Sequence, residues 1–335
     1  MPHMAVGILG IGAAVPEKVL DNAALEKMVD TSDEWITTRT GIKERRIAGE
    51  TDAASYFAVQ AASKAIAAAG LGPEDIDLII CATVTPDMPF PATACLVQDQ
   101  LGIKDIPAFD LSAGCSGFTY ALAVGTEMAR SSYEHVLVIG VDVLSRITDY
   151  TDRSTCVLFG DGAGAAVLGP VPEGYGVLAV DLGADGSGAD FLKLPAGGSL
   201  KPASTETINQ REHYIKMAGR EVFKFAVRVM DSSTQRVLEK AGMAPQDVNW
   251  FVPHQANIRI IESAANRLQV PLDRFIVNVD RYGNTSSGSI GIALDELVQS
   301  GKLQDGDYIV LVGFGAGLTW ASALVRWYEQ GDDRG

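Results

Sequence analysis

Cysteine and histidine, the side chains that most often form disulfides and hold metal ions, are scarce in this sequence. The 335 residues include four of each, and no two cysteines form a C-x-x-C pair. A disulfide scaffold or a structural zinc site needs more such residues at closer spacing. We therefore expect neither a disulfide framework nor a metal. The four cysteines are Cys81, Cys95, Cys115 and Cys156.

Long hydrophobic runs and an excess of basic residues are also missing. Apolar runs such as the one that begins at Leu78 are far shorter than the roughly 20 residues that a membrane-spanning helix needs. The segment before Pro16 has no Lys or Arg and is broken by glycines, which predicts a strand and a turn rather than a signal peptide. Acidic residues outnumber basic ones by 42 to 27, so the net charge of −15 repels nucleic-acid phosphates. We expect a cytoplasmic protein that binds neither membranes nor nucleic acids.

What the chain does contain is a repeat of itself. Residues 69–80 align without gaps with residues 241–252, and each copy has the pattern of a helix that ends at a glycine, a proline turn and a buried strand. A second pair, residues 160–164 and 313–317, shares the sequence G-x-G-A-G. Chance is the alternative explanation for this second pair, because the chain has 35 glycines. The repeat predicts two similar halves.

Between these segments, strand patterns alternate with helical patterns, which is typical of α/β proteins whose largely parallel strands are buried on both faces. We predict two packed α/β halves, residues 1–171 and 172–335, related by a pseudo-twofold axis. Helices are expected at residues 55–69, 116–130, 221–240 and 258–268, and strands at residues 136–140 and 309–313.

Residues 183–217 fit neither copy of the repeat. They are rich in Gly, Pro, Ser and Thr, as loops are. A segment of this length without a strong pattern is usually functional or mobile, so we predict an insertion that covers a site.

Cys115 stands out among the cysteines because of its position. The apolar strand pattern at residues 107–111 runs into a small-residue turn that contains Cys115, and a helical pattern follows. This arrangement resembles a nucleophile elbow with sulfur in place of oxygen, and the helix N-terminus there favours a thiolate. The alternative is a small buried hydrophobic residue, which is our interpretation of the other three cysteines.

His254 and Asn284 are the matching candidates in the second half. His254 follows an apolar strand at the end where α/β sheets bind ligands. Asn284 begins a small-residue segment at the place that the repeat gives to the Cys115 turn. A hydrogen-bonded structural histidine and a turn-forming asparagine are the alternatives. Their equivalent places in a duplicated scaffold favour a shared site with Cys115.

Five segments that include these residues closely resemble β-ketoacyl-acyl-carrier-protein synthase III, the condensing enzyme that starts type II fatty acid synthesis in bacteria and plastids. The resemblance extends over essentially the whole chain. It implies the thiolase fold, a five-layered αβαβα arrangement of two duplicated halves, usually as a homodimer. The segments are residues 33–41 (DEWITTRTG), 113–121 (AGCSGFTYA), 159–166 (FGDGAGAA), 253–257 (PHQAN) and 283–286 (GNTS).

The resemblance also implies a ping-pong reaction without a cofactor, in which acyl-CoA and malonyl-acyl-carrier protein are the substrates. Cys115 would take the acyl group from acyl-CoA. His254 and Asn284 would donate hydrogen bonds to the malonyl thioester oxygen during decarboxylation. The backbone N–H groups of Cys115 and Ala316 would bind the oxyanion, and Phe314 would keep the pocket apolar.

Further residues would bind the substrates by the same resemblance. Trp35 and Arg153 would clamp the adenine of CoA, with Arg39 near its phosphates. Phe90 would reach the acyl pocket of a partner subunit, and its bulk suggests short primers. The pantetheine channel would contain Gly219, Phe223, Ala256 and Asn257.

Carrier-protein docking is assigned to Lys224 and Arg259 by the resemblance. Lys216, Arg220, Lys224 and Arg228 recur every four residues, which predicts one basic face on a helix. Two positions depart from relatives: Ala316 replaces a glycine that some of them have, and Arg220 stands where several have asparagine.

Other activities on the same fold are separated by residue counts. Elongating condensing enzymes need a second active-site histidine, and neither His135 nor His213 lies in a comparable motif; biosynthetic thiolases need a cysteine near the C-terminus, and the last one here is Cys156. Five alternatives remain. Four are enzymes: a chalcone-synthase-like enzyme, a priming synthase of secondary metabolism, an acyltransferase of secondary metabolism and a cysteine hydrolase. The fifth is a non-catalytic partner that binds the carrier protein.

Overall fold

The computed structural model describes residues 4–329 as two main β-sheets surrounded and separated by helices, with two further two-stranded sheets. The strands are β1 Val6–Ala14, β2 Val19–Asp21, β3 Glu44–Arg46, β4 Leu78–Ala82, β5 Ala108–Leu111, β6 Val136–Val143, β7 Asp161–Pro170, β8 Gly176–Ala184, β9 Leu192–Lys193, β10 Lys216–Met217, β11 Trp250–Pro253, β12 Tyr308–Gly315 and β13 Thr319–Arg326. The helices are α1 Asn22–Glu26, α2 Asp33–Thr40, α3 Ala54–Ala68, α4 Thr93–Gln100, α5 Gly117–Ser131, α6 Thr205–Asn209, α7 Gly219–Ala241, α8 Ile258–Leu268, α9 Val279–Tyr282 and α10 Gly288–Gln299. The two-stranded sheets are β2-β3 and β9-β10.

The two main sheets have corresponding strand orders. The first is β1-β7-β6-β4-β5 and the second, read from its equivalent edge, is β8-β13-β12-β11. In both, the first two pairings are antiparallel and the next is parallel. Beyond β11, Phe275 forms a single parallel bridge to Phe251 at the place that β5 takes in the first sheet. The shared order is what a duplicated chain produces, and the exact division at residue 171 stays a prediction.

Five layers follow from the packing of the helices. Helices α3 and α4 cover the outer face of the first sheet, and α7 and α8 cover the outer face of the second. Helices α5 and α10 lie between the sheets, where Phe118 and Ile290 belong to one continuous apolar core with residues of both. Burial on both faces explains why strands such as β4 and β6 are almost wholly apolar or small in sequence.

The predicted elements agree with the structure to within a few residues. Helix α8 has the predicted bounds, and α7 begins two residues earlier than expected, at Gly219. Strands β6 and β12 are longer than predicted because antiparallel pairing with β7 and β13 continues to their ends. None of the helices in residues 4–329 combines the length and the apolar character needed to cross a bilayer.

The segment at residues 183–217 differs from the predicted loop. Residues 183 and 184 belong to β8, because they pair with Trp320 and Thr319 of β13. The rest is ordered by its own pairing of β9 with β10, by α6, and by an ion pair in which Arg211 reaches back to Asp149. Lys216 lies in β10 and not on α7, so the predicted basic helix face begins only at Arg220.

Candidate active site

Cys115 lies between the two halves, at the turn from β5 into α5. The chain leaves β5 at Leu111, makes a short 3₁₀ turn over Gly114–Ser116 and enters α5 at Gly117. Gly114 has φ +55°, and a Cβ there would lie 2.7 Å from the backbone nitrogen of Ala316. Only glycine allows this approach, which brings the Ala316 backbone beside the cysteine. The predicted strand–turn–helix around Cys115 is confirmed.

His254 stands at the carboxyl end of β11, where its backbone N–H donates to the carbonyl of Val312 at 2.8 Å. Its side chain is 1% exposed. The ring nitrogen Nδ1 lies 2.6 Å from the hydroxyl of Ser289, and the ring meets Phe314 edge-to-face at 5.2 Å. These contacts hold the ring in one orientation, and Nε2 is buried without a hydrogen-bond partner among the described residues.

Asn284 comes from the loop before α10, next to the end of the first half. Its backbone N–H donates to the carbonyl of Leu158 at 2.9 Å. Its side-chain oxygen accepts a hydrogen bond from the backbone N–H of Ser286 at 2.8 Å. Because the oxygen is used in this way, the amide nitrogen is the group left to donate to a ligand.

Cys115, His254 and Asn284 line one cavity together with Phe314 and Gly315. The three predicted side chains thus converge although they lie on separate elements of both halves. The same cavity extends toward the surface along all four residues that the resemblance placed in a pantetheine channel: Gly219, Phe223, Ala256 and Asn257.

A second, apolar cavity of about 180 Å³ also borders Cys115. Ala316 forms part of its wall and is not at positive φ, so a methyl group at this position strains nothing. The sequence analysis did not identify the apolar wall residues, which come from the first half and from the 183–217 segment. They are Val84, Leu144, Ile147, Phe159, Leu192, Leu194 and Ile215.

Burial dominates the electrostatics of the site. It raises the pKa of the Cys115 thiol to about 12, and the nearby Asp142 carboxylate acts in the same direction. The Ser286 hydroxyl, as a hydrogen-bond partner of the sulfur, opposes this. Burial also lowers the pKa of His254 to about 3. Burial therefore disfavours both the thiolate and the imidazolium, and at Cys115 it opposes the stabilisation of a thiolate that is expected from the helix N-terminus.

We expect the rate at which iodoacetamide alkylates Cys115 to rise about tenfold per pH unit, without a plateau, from about pH 7 to about pH 10. Only the thiolate reacts, and its fraction keeps growing while the pH is below the pKa. Intact-protein mass spectrometry of the wild type measures the rate, and Cys115→Ala gives the background from the other cysteines. A plateau below about pH 8.5 would mean that the thiol has an ordinary or lowered pKa.

The chain is similar to known proteins over nearly its whole length. Residues 109–186 match the model of the family "3-Oxoacyl-[acyl-carrier-protein (ACP)] synthase III". Residues 238–327 match the model of the C-terminal part of the same enzyme, "3-Oxoacyl-[acyl-carrier-protein (ACP)] synthase III C terminal". The chain is 57% identical over 325 residues to the β-ketoacyl-[acyl-carrier-protein] synthase III of Caldanaerobacter subterraneus subsp. tengcongensis, a match that covers 97% of this chain and 98% of that protein. The chain belongs to the β-ketoacyl-[acyl-carrier-protein] synthase III family.

Solved structures agree with membership in the synthase III family. The 3-oxoacyl-[acyl-carrier-protein] synthase III of Aquifex aeolicus is 49% identical and superimposes with a TM-score of 0.89 over 96% of this chain and 100% of that one. The priming β-ketosynthase of the R1128 polyketide pathway has a TM-score of 0.90 over 99% of each chain, at 35% identity. The predicted thiolase-like, five-layered fold is confirmed.

The three residues predicted to bind the nucleotide of CoA, Trp35, Arg39 and Arg153, are all exposed. The guanidinium of Arg153 is 5.0 Å from the ring centre of Trp35, and it also approaches Asp30 at 3.5 Å. An adenine could enter between Trp35 and Arg153 only after they separate. The carbonyl of Arg39 accepts a hydrogen bond from Asn257 at 3.0 Å, which connects α2 to the start of α8.

Two other groups of predicted site residues face solvent. Phe90 is 83% exposed and lines neither cavity. The four predicted docking residues, Arg220, Lys224, Arg228 and Arg259, are all exposed. Of these, Lys224 forms an ion pair with Glu221 at 3.0 Å on the same helix face.

The sequence analysis missed three polar residues behind the reacting groups. Ser286 has φ +47° and lies against Cys115, and Ser289 holds His254. Asp142 is fully buried and accepts hydrogen bonds from Val84 and from the backbone of Ser287, so it connects the first half to the Asn284 loop. The serine-rich run after Asn284 is the one signal that could have pointed to the first two. No group of three or more His, Cys, Asp or Glu side chains in residues 4–329 is arranged to hold a metal ion.

Proposed function

We propose that this protein catalyses the decarboxylative condensation of a short acyl-CoA with malonyl-acyl-carrier protein, giving a 3-oxoacyl-acyl-carrier protein, CoA and carbon dioxide. The observation that carries the proposal is the single cavity that Cys115, His254 and Asn284 share, with an apolar pocket that also borders Cys115. Family membership at 57% identity supports the same reaction. No cofactor is needed, because CoA enters as part of a substrate.

In the first half-reaction, the Cys115 sulfur attacks the thioester carbonyl of acyl-CoA. The new S–C bond forms while the bond to the CoA sulfur breaks, and the thiol proton leaves with that sulfur as CoA-SH. Because the resting thiol has a pKa of about 12, its proton is lost during the attack and not before it. The backbone N–H groups of Cys115 and Ala316 would stabilise the oxyanion, and the Gly114 turn, which brings the two backbones together, supports this role.

In the second half-reaction, malonyl-acyl-carrier protein replaces CoA in the channel. The C–C bond to the carboxylate breaks, and its electron pair forms an enolate whose oxygen accepts hydrogen bonds from His254 Nε2 and Asn284 Nδ2. The carboxyl group leaves as carbon dioxide, and the enolate carbon then attacks the acyl-Cys115 carbonyl. A new C–C bond forms, the bond to sulfur breaks, and the departing sulfur takes up one proton from solvent to restore the Cys115 thiol. Two neutral donors suit this step, because neither changes charge as the negative oxygen develops.

The surface charges support a role for α7 and α8 in docking the carrier protein. An acidic carrier meets a chain whose net charge is −15, so it needs a local basic area. Such a basic area lies near the channel residues Gly219 and Phe223. It consists of Arg220, Lys224, Arg228 and Arg259. Glu221 neutralises part of it through its ion pair with Lys224. Trp35, Arg39 and Arg153 would bind the nucleotide of CoA before the carrier arrives.

A homodimer is part of the proposal. Phe90 is large, apolar and almost fully exposed, and the neighbouring Met88 is also exposed, which supports packing of this segment against a partner subunit. In the dimer Phe90 would enter the apolar cavity of the partner subunit and limit the length of the primer. The proposal also includes the boundary between the two halves of the chain at residues 171 and 172. It further includes a cytoplasmic location, with neither nucleic acids nor membranes as partners.

The test is a reconstituted reaction of the full chain with malonyl-acyl-carrier protein and a series of acyl-CoA primers. We expect carbon dioxide and 3-oxoacyl-carrier product in equal amounts with acetyl-CoA or another short primer, and much less of both with long primers. Free acid without carbon dioxide would indicate a hydrolase instead. Product from a specialised acyl donor alone would favour a priming role in secondary metabolism, and no product with any primer would contradict the proposal.

A further inference from the structure

The contact between His254 and Ser289 determines more than the position of the ring. Ser289 lies in the first turn of α10, and its hydroxyl is 2.6 Å from Nδ1 of His254. Both residues are 1% exposed. A hydrogen bond this short between buried groups leaves little freedom for either side chain.

The direction of this hydrogen bond follows from what surrounds the hydroxyl. Within residues 4–329, the Ser289 hydroxyl has no hydrogen-bond partner other than His254 Nδ1. A serine hydroxyl has one proton, and a buried proton without an acceptor is costly. The hydroxyl therefore donates, and Nδ1 accepts with its lone pair.

The opposite nitrogen of the ring must then carry the proton. A neutral imidazole has one N–H, and if Nδ1 is an acceptor, that N–H is at Nε2. Nε2 is buried and unpartnered among the described residues, and the ring lines the cavity that also contains Cys115 and Asn284. The edge-to-face contact with Phe314 at 5.2 Å keeps the ring from turning away.

We propose that Ser289 is a positioning residue that fixes His254 as the Nε2–H tautomer, so that the ring acts as a hydrogen-bond donor in the cavity and not as the base that deprotonates Cys115. The inference rests on the proposed function only for the substrate atom that receives this hydrogen bond. Serine proteases provide a comparable case, because a buried aspartate that is hydrogen-bonded to the catalytic histidine determines which tautomer of the ring is present.

The consequence differs between the two half-reactions. Accepting the Cys115 proton at Nε2 would place a positive imidazolium in a site that disfavours charge, so acylation should not depend on this nitrogen. Decarboxylation needs the N–H at Nε2 and should be sensitive to the tautomer. Ser289→Ala removes the donor to Nδ1 and lets the ring populate the Nδ1–H form, which presents a lone pair to the substrate oxygen.

The direct test is nuclear magnetic resonance of the full-length protein labelled with ¹⁵N in its histidines. In the wild type without substrate, we expect a pyrrole-type shift for His254 Nε2 and a pyridine-type shift for Nδ1, with the assignment taken from the signals that His254→Ala removes. The reverse pattern in the wild type would overturn the inference. Because no substrate is present, this result does not depend on whether the proposed function is correct.

Kinetics of three variants complete the test. We expect Ser289→Ala to lower kcat for condensation by about 10- to 100-fold while the rate of Cys115 acylation stays within about twofold of the wild type. Ser289→Thr, which keeps a hydroxyl, should restore most of the activity and the wild-type shifts. Ser233→Ala is the matched control, since it removes another fully buried helical serine hydroxyl, bonded to Asp181, away from the cavity. It should leave the His254 shifts unchanged.

An equal loss of both half-reactions in Ser289→Ala, with the His254 tautomer unchanged, would show that the serine supports the structure only. Unchanged condensation in Ser289→Ala would also overturn the inference. If Ser289→Ala does not fold, the wild-type shifts and Ser289→Thr still decide between the two tautomers. A wild type with the Nε2–H tautomer but no condensation activity would refute the proposed function and leave the assignment of the tautomer intact.

Discussion

Replacement of Cys115 by serine is expected to abolish acyl transfer, with a loss of at least about 10³-fold in the rate of acyl-enzyme formation. The hydroxyl that Cys115→Ser introduces would be a poorer nucleophile than the thiol even in water. Burial, which already raises the pKa of the Cys115 thiol to about 12, would disfavour an alkoxide still more. Intact-protein mass spectrometry after incubation with acetyl-CoA measures the adduct directly.

The matched control for this experiment is Cys95→Ala. Cys95 is a free cysteine on α4 whose sulfur lies 3.7 Å from the carbonyl of Ala108, and it lines neither cavity beside Cys115. We expect Cys95→Ala to form the acyl adduct at the wild-type rate. An adduct that persists in Cys115→Ser, or that disappears in Cys95→Ala, would show that another cysteine carries the acyl group.

Replacement of His254 or Asn284 by alanine is expected to separate the two half-reactions. Each variant should form the acyl-enzyme at nearly the wild-type rate, because neither side chain is needed as a base for Cys115. Each should lose about 10²- to 10³-fold in decarboxylative condensation, the usual effect of removing one donor from an oxyanion site. Mass spectrometry follows the first step, and carbon dioxide release follows the second.

His135→Ala is the matched control for His254→Ala. His135 lies at the far end of β4 and β6, where its ring contacts the carbonyl of Asp75 at 3.0 Å. Its loss should change neither half-reaction. If His254→Ala were acylated at least about 100-fold more slowly than wild type, the ring would serve as a base and our assignment of its role would be wrong.

The sequence predicted the parts of the site that depend on local patterns. The strand–turn–helix at Cys115 involves neighbouring residues only, and so does the strand that ends at His254. The repeat placed Asn284 opposite the Cys115 turn, because the two copies fold into matching sheets. Helix α8 was predicted with its observed bounds since its apolar residues recur with a clear helical period.

The parts that were missed depend on contacts between distant segments. Ser289 is 35 residues from His254, and Asp142 is 145 residues from Ser287, so no local pattern connects them. The burial of Cys115 could not be predicted for a related reason. The helix N-terminus is visible in the sequence, but the desolvation that opposes a thiolate arises only when both halves close around the thiol.

The cover segment, residues 183–217, illustrates the same limit. Its composition predicted a loop, but pairing between β9 and β10 and the ion pair of Arg211 with Asp149 give it a defined structure. That structure places Leu192 and Ile215 in the wall of the apolar cavity. The predicted cover over a site agrees with this wall, whereas the loop-like composition did not reveal β9, β10 and α6.

The central claim is that one cysteine holds the acyl group while a histidine and an asparagine act on the second substrate. The most direct test is a pulse–chase experiment in which acetyl-enzyme is isolated, mixed with malonyl-acyl-carrier protein and sampled by intact-protein mass spectrometry. We predict that the wild type loses its acetyl group to the carrier as acetoacetyl product, whereas acetylated His254→Ala and Asn284→Ala keep it. Loss of the acetyl group to water, or equal discharge from all three proteins, would contradict this account.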